Sequence, residues 1–218
     1  IVVEESGQNS IVIAPGANEA LSPGDVEGAE ELIAESDILL LQLEVPLDTV
    51  SRAAQLAKRH GTTVVLNPAP AHDLPAELLL AVDILIPNES EAELLTGLPV
   101  QNEEEIGIAV RRLQQRGVPV VVMTLGARGA LAADNSALYR MPAFNVTPVD
   151  TTAAGDAFVG AFAVALAESG SLVDAIKWGS AAGALATTLA GAQPSLPTRA
   201  RMLELLRQQV IELQRLPE

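Results

Sequence analysis

The 218-residue chain contains no cysteine, which excludes a disulfide framework and any thiolate metal site. Aromatic residues make up only 2% although 49% of the chain is hydrophobic. The core must therefore be built from Ala, Leu, Val and Ile, a composition that suits helices packed on a parallel sheet. Basic residues are scarce as well: 13 Lys and Arg stand against 28 Asp and Glu, a formal charge of −15. Nucleic acid and anionic membrane surfaces require basic patches that this balance does not supply, so neither is expected as a partner. No apolar run approaches the roughly 20 residues that span a bilayer, and no charged-then-apolar leader is present, so a cytoplasmic location is expected. The two histidines, His60 and His72, fall at a helix end and in a Pro-rich loop, where neither is expected to carry chemistry.

What is present alternates. Apolar strands at 38–43, 63–66, 83–86 and 118–124 are interleaved with helical segments at about 22–35, 48–60, 75–81, 90–96 and 102–116, and Gly61, Gly97 and Gly117 close three of them. The first helix opens on Ser22-Pro23-Gly24-Asp25, a capping Ser with Pro at the first helical position and an acid three residues after the cap. Short strands alternating with helices predict βαβ units, hence a doubly wound α/β fold with a mainly parallel sheet and helices on both faces. Ahead of this, β-rich pieces at 1–5 and 10–14 flank Ser6-Gly7-Gln8-Asn9, which reads as a hairpin turn. Beyond Gly129 the pattern predicts a hairpin of 130–133 and 137–141, a strand at 144–149, helices at 154–169 and 172–189, a loop at 191–195 and a last helix from Thr198 to about 213.

Ligands of parallel sheets bind beyond the carboxyl ends of the strands. Glu44, Asn67, Asn88 and Thr124 each follow an apolar strand, so the pattern brings polar groups from separate strands to one edge. Taken alone, each has a plain structural reading. Glu44 fits a solvated loop acid, and Asn67-Pro-Ala-Pro-Ala71 fits a turn stiffened by its prolines. The Glu89, Glu91, Glu93 cluster fits an acidic first helical turn, and the run 124–129 fits a β-turn.

The most informative stretch is Asp150-Thr-Thr-Ala-Ala-Gly-Asp156, followed by an apolar helix. Backbone N–H groups at such a helix start lack intrahelical partners and lie at the positive end of the dipole, which favours an anion. Small residues at Ala153, Ala154 and Gly155 let a ligand approach. A carboxylate there, Asp156, opposes a phosphate unless it meets a hydroxyl or a metal ion, which is what phosphoryl transfer to an alcohol requires. A capped helix whose acid complements the dipole is the simpler alternative.

In order along the chain, Gln42-Leu43-Glu44, Asn67-Pro-Ala-Pro-Ala71, Pro87-Asn88-Glu89-Ser90-Glu91-Ala92-Glu93, Thr124-Leu125-Gly126-Ala127-Arg128-Gly129 and Asp150-Thr-Thr-Ala-Ala-Gly-Asp156 resemble the motifs of the ribokinase branch of the PfkB family of sugar kinases. The last resembles that family's signature D-T-x-[GA]-A-G-D. The resemblance runs along essentially the whole chain. It implies ATP-dependent phosphorylation of a sugar primary hydroxyl, D-ribose to D-ribose 5-phosphate with ADP released. Fructokinase, deoxyribokinase and nucleoside kinase are the alternatives within the class, and a non-catalytic nucleotide-binding fragment is the alternative outside it.

The resemblance also implies roles. Asp156 would be the base and touch the sugar, with the backbone of Ala153, Ala154 and Gly155 as the anion hole. Glu44 would hydrogen-bond the sugar. The nucleotide would meet Asn88, Thr124, Leu125, Gly126, Ala127, Arg128, Gly129, Gly155 and Ser180. Ser180 stands where the family often has a bulkier Asn or His. Magnesium would enter with ATP and meet Glu91 through water. Potassium would act as an activator beside the anion hole, held by Asp150, Thr152, Ala186, Leu189, Gly191 and Ser195.

Relative to the family, roughly the first third is absent: residue 1 is Ile, and the chain enters directly on Ile1-Val2-Val3. The resemblance makes residues 1–16 part of a β lid and residues 17–218 the α/β nucleotide-binding and catalytic domain. Many sugar contacts would lie in the absent third, so the chain alone is expected to phosphorylate sugar poorly. The full-length protein would form a homodimer through the lid.

Overall fold

The computed structural model describes residues 14–216, and ahead of them the backbone of two short strands, β1 (Val2–Val3) and β2 (Asn9–Ser10). These pair antiparallel, Val2 opposite Ser10 and Val3 opposite Asn9. Of the turn expected at Ser6-Gly7-Gln8-Asn9, residues 6–8 lie outside the described residues, and Asn9 belongs to β2 instead.

The remaining strands form one seven-stranded sheet in chain order. Four are parallel: β3 (Ile38–Leu41), β4 (Thr63–Leu66), β5 (Ile84–Leu85) and β6 (Val120–Thr124). Three continue antiparallel: β7 (Ala130–Ala133), β8 (Leu138–Met141) and β9 (Gln214–Leu216). Period-2 alternation assigns the strand side chains to two cores. Val64, Leu66, Leu85, Val121 and Met123 face one layer, while Val65, Ile84 and Val122 face the other.

The first layer is made by α1 (Pro23–Gly28) and α2 (Glu30–Ala34), which precede the sheet, and by the crossover helices α3 (Leu47–His60), α4 (Ala76–Ala81), α5 (Glu89–Thr96) and α6 (Glu103–Gln115). The second is made by α7 (Ala154–Ser169), α8 (Leu172–Ala186) and α9 (Arg199–Gln208). Helices thus cover both faces, as expected, but the second layer comes wholly from the C-terminal helices.

Two glycines set how α8 meets α7. A Cβ at Gly179 would lie 3.0 Å from the Phe158 carbonyl oxygen, and one at Gly183 would lie 3.1 Å from the Ala154 carbonyl oxygen. The absence of side chains at these positions, one turn apart, lets α8 pack directly on the first two turns of α7. No helix among the described residues is long and apolar enough to cross a membrane.

Four expectations need correction. The helix expected to run to 35 breaks at Ala29, whose φ of −101° and ψ of 11° follow the weak helix former Gly28. No strand forms at 144–149. Pro148 lacks a ladder donor, and the free side of β8 is occupied by β9. That strand arises because α9 ends at Gln208, earlier than expected. Finally, α8 ends at Ala186, where the Thr187 and Thr188 hydroxyls turn back to donate to the Ala184 and Leu185 carbonyls at 2.8 and 2.7 Å.

Candidate active site

Parallel pairing carries the strand ends to a common edge. The Asn67 N–H donates to the Leu41 carbonyl at 3.0 Å, and the Thr124 N–H donates to the Pro87 carbonyl at 2.9 Å. The Asn67 amide nitrogen donates to the Ile86 carbonyl at 2.8 Å, and Asn88 and Thr124 form an isolated parallel bridge. Asn67, Asn88 and Thr124 are therefore fixed on adjacent strands, as expected. Glu44 lies on the loop beyond β3, exposed, with its N–H donated to the Gln42 side-chain oxygen. The Leu43 N–H, donated to the Ala69 carbonyl at 2.9 Å, ties this loop to the Pro-rich turn.

A cleft of about 810 Å³ opens beyond the ends of β5 and β6. Asn88, Glu89 and Ser90 line it from the start of α5, and Thr124, Gly126, Ala127 and Gly129 from the loop after β6. Across from them stand Ala154, Gly155 and Phe158 of α7, and Ser180, Gly183 and Ala184 of α8. Two separate sets of expected nucleotide contacts are thus opposite walls of one space. The Ser180 hydroxyl is buried without a hydrogen-bond partner among the described residues. A smaller hollow of about 430 Å³ against α6 gathers none of the strand-end residues.

Leu125, Arg128 and Glu91, expected around the nucleotide and its metal, do not line this cleft, and neither do Glu44, Ala153 and Asp156. Leu125 is buried, 2% exposed, and its N–H closes the loop by donating to the Gly129 carbonyl at 2.8 Å. Arg128 turns aside to pair with Glu89 and to donate to the Gln101 carbonyl at 2.9 Å. Glu91 is 7% exposed and is engaged in a capping box: its oxygens accept the Asn88 N–H at 2.7 Å and the Asn88 amide at 2.8 Å. Its own N–H donates to Asn88 Oδ1 at 2.9 Å, which fixes the orientation of the Asn88 amide. Burial pushes the Glu91 carboxyl up to about 7, against the lowering effect of the Asn88 N–H.

The loop after β6 depends on Gly129, at φ 87° and ψ −127°. A Cβ there would lie 2.1 Å from the Met141 carbonyl oxygen. The turn before α7 instead places an alanine in the left-handed region. Ala153, at φ 59°, is the only non-glycine residue with positive φ among the described residues, and it occupies the [GA] position of the signature. The Ala154 N–H is drawn into the turn, donating to the Thr151 carbonyl at 3.2 Å. Among the described residues, the N–H groups of Ala153, Gly155 and Asp156 have no protein partner, because the first helical bond runs from the Ala157 N–H to the Ala153 carbonyl at 2.9 Å. The open donors thus differ by one from the set the sequence suggests. The Asp156 side chain is exposed in the same first turn.

Asp150 joins this turn to the loop after α8. Its two oxygens accept the Thr152 N–H at 2.9 Å and the Gly191 N–H at 2.8 Å. Gly191 foremost, then Thr152, holds the Asp150 carboxyl below its ordinary range. The Val149 and Asp150 N–H groups both donate to the Thr187 carbonyl, at 2.7 and 3.1 Å. Ser195 is fully buried, its hydroxyl donated to the Ala192 carbonyl at 2.7 Å, and the Leu189 N–H reaches the Ala186 carbonyl at 3.5 Å. Asp150, Thr152, Ala186, Leu189, Gly191 and Ser195 therefore belong to one turn-and-loop unit beside the α7 N-terminus.

One wall was missed from sequence. Phe144, Asn145, Val146 and Pro148 line the cleft from an irregular segment, which Gln209 steadies. The Asn145 N–H donates to Gln209 Oε1 and Gln209 Nε2 donates to the Asn145 carbonyl, both at 2.8 Å. Pro142 and Pro148 were the available signal against a strand.

Residues 1–199 match the model of the pfkB family of carbohydrate kinases. The chain is 48% identical over 206 residues to the ribokinase of Haemophilus influenzae, covering 94% of this chain and 67% of that protein. It is 41% identical over 199 residues to the deoxyribokinase of Salmonella typhi, covering 91% and 65%. Among solved structures, Arabidopsis thaliana ribokinase complexed with ribose and ATP matches with a TM-score of 0.85 at 35% identity, over 94% of this chain and 67% of that one. The chain thus spans about two thirds of the length of these relatives. A helix start with open N–H donors and an exposed carboxylate at the carboxyl edge of the sheet, taken with these matches, places the chain in the pfkB family of carbohydrate kinases.

Proposed function

We propose that this chain carries the nucleotide-binding and catalytic part of an ATP-dependent kinase that phosphorylates the primary hydroxyl of D-ribose, giving D-ribose 5-phosphate and ADP. The observation that carries the reading is the first turn of α7, where open backbone N–H groups and the exposed Asp156 carboxylate occur together beside Ala154 and Gly155, which line the cleft. Asp156 accepts the proton of the sugar hydroxyl. An alcohol gives its proton to a carboxylate only as its oxygen bonds to phosphorus, so the transfer is late. The N–H groups of Ala153, Gly155 and Asp156 stabilise charge on the moving phosphoryl group. Glu44 holds the sugar from the far strand end.

Magnesium entering with ATP supplies charge neutralisation at the phosphates. The residues fit an ion that keeps several waters. Glu91 is buried in the α5 capping box and does not itself line the cleft, so it would meet the ion only through water beyond Asn88, whose N–H and amide its oxygens accept. Potassium suits the Asp150 unit, where an ionised carboxylate held by two N–H groups adjoins the backbone of Thr152, Ala186, Leu189, Gly191 and Ser195. Weakly hydrated monovalent cations accept such carbonyl ligands. For the whole protein we propose a cytoplasmic homodimer joined through a β lid that includes residues 1–16.

The test is a phosphorylation assay with D-ribose, 2-deoxy-D-ribose, D-fructose and nucleosides, using a protein that includes the region the relatives have ahead of residue 1. The highest kcat/KM is expected for D-ribose. A preference for 2-deoxy-D-ribose replaces the proposal with the deoxyribokinase alternative, and no turnover of any sugar favours a nucleotide-binding fragment.

A further inference from the structure

The nucleotide cleft contains a charge conflict at its rim. Among the described residues, Glu89 is the only charged one that lines it, in a chain whose formal charge is already −15. A carboxylate there repels a polyphosphate across a distance at which unit charges still interact appreciably. The nearest cationic answer is Arg128, on the loop after β6, whose Nη2 pairs with Glu89 Oε1. The same guanidinium is anchored from the other side, with Nη1 donating to the Gln101 carbonyl at 2.9 Å. A planar fork held at two points has little freedom to swing into the cleft, and Arg128 is not among the lining residues.

We propose that Arg128 is a positioning residue that acts through Glu89: it neutralises and holds back the one carboxylate among the described residues that line the cleft, and so sets the affinity for the polyphosphate of a nucleotide without touching the phosphates itself. This rests on the nucleotide reading of the cleft. Both side chains are a little more than one third exposed, 38% and 39%, so the shielding is salt-dependent. Direct contact and shielding make opposite predictions for the double variant. If Arg128 binds phosphate, its loss cannot be repaired by changing Glu89. If it shields, removing the carboxylate makes the arginine dispensable.

The experiment is calorimetric titration of ATP into the 218-residue chain and its Arg128→Ala, Arg128→Lys, Glu89→Gln and Arg128→Ala/Glu89→Gln variants, at low and high salt, with thermal melts to verify folding. Arg128→Ala is expected to weaken ATP binding by about 5-fold or more at low salt and less at high salt. Arg128→Lys retains much of the affinity. The double variant returns to within about 2-fold of the parent, and Glu89→Gln alone binds at least as well as the parent. A double variant as weak as Arg128→Ala overturns the proposal, whether the cause is a lost phosphate contact or a loosened loop. A parent chain that does not bind ATP overturns the nucleotide reading of the cleft, and the shielding role falls with it.

Discussion

Asp150 and Gly191 are joined across the chain by a hydrogen bond of 2.8 Å from the Gly191 N–H to Asp150 Oδ2. This bond closes the loop after α8 onto the turn that opens α7. Because the folded carboxyl is held below its ordinary range, the stabilisation it gives is fully present above the unfolded pKa and is lost as pH falls through the lowered value.

The Asp150 unit predicts an ion dependence. With the family's N-terminal region included, the parent enzyme turns over faster in potassium than in sodium, and Asp150→Ala removes that preference. Turnover is measured in the two chlorides at equal ionic strength. Equal rates for the parent in both salts eliminate the potassium site.

Glu91 predicts a pH dependence of stability. Its carboxyl is raised from 4.5 to about 7 in the folded protein, so the folded state binds the proton more tightly than the unfolded state. The associated stability is full below about 4.5 and declines as pH rises through 7, by up to about 3 kcal/mol. Urea unfolding of the parent and Glu91→Gln from pH 5 to pH 8 measures it. The parent loses more stability than the variant over that range. Parallel pH profiles, or a carboxyl NMR titration with its midpoint near 4.5, contradict the assignment.

Gly129 and Ala153 predict contrasting tolerance. Gly129→Ala drives a Cβ to within 2.1 Å of a backbone oxygen and is expected to destabilise the fold by about 3 kcal/mol or more. Ala153→Gly relieves left-handed strain of roughly 1 kcal/mol but gives the unfolded chain a similar entropic advantage, leaving stability within about 0.5 kcal/mol of the parent. Denaturant melts report both. A Gly129→Ala variant as stable as the parent shows that the loop has another conformation to adopt.

The sheet was legible because β3 is aliphatic throughout, β4 and β6 nearly so, and Gly61, Gly97 and Gly117 follow three of the helices between them. The signature turn was legible because Ala153, Ala154 and Gly155 combine small size with a following acid. The orientation of individual side chains was not. A motif brings Glu91 and Arg128 near a cleft, but the capping box that occupies Glu91 and the ion pair that turns Arg128 aside depend on tertiary placement. The wall at 144–148 was hidden for the same reason, since Gln209 supplies a strand-like partner to Asn145 from 64 residues away. β9 was masked by the helical pattern that precedes it.

Asp156 carries the central claim, and turnover of Asp156→Asn, read beside ADP affinity of the same folded variant, tests it most directly. Asn preserves size and can still hydrogen-bond the hydroxyl, but it cannot take the proton. With the N-terminal region included, kcat is expected to fall about 100-fold to 10,000-fold, ~2.7–5.5 kcal/mol of barrier. ADP affinity is expected to change no more than a few-fold, because in the proposed reading the phosphates rest on backbone N–H groups and magnesium. A kcat within a few-fold of the parent contradicts the assignment of Asp156 as the base, and a collapse of ADP binding makes the residue structural or metal-linked instead.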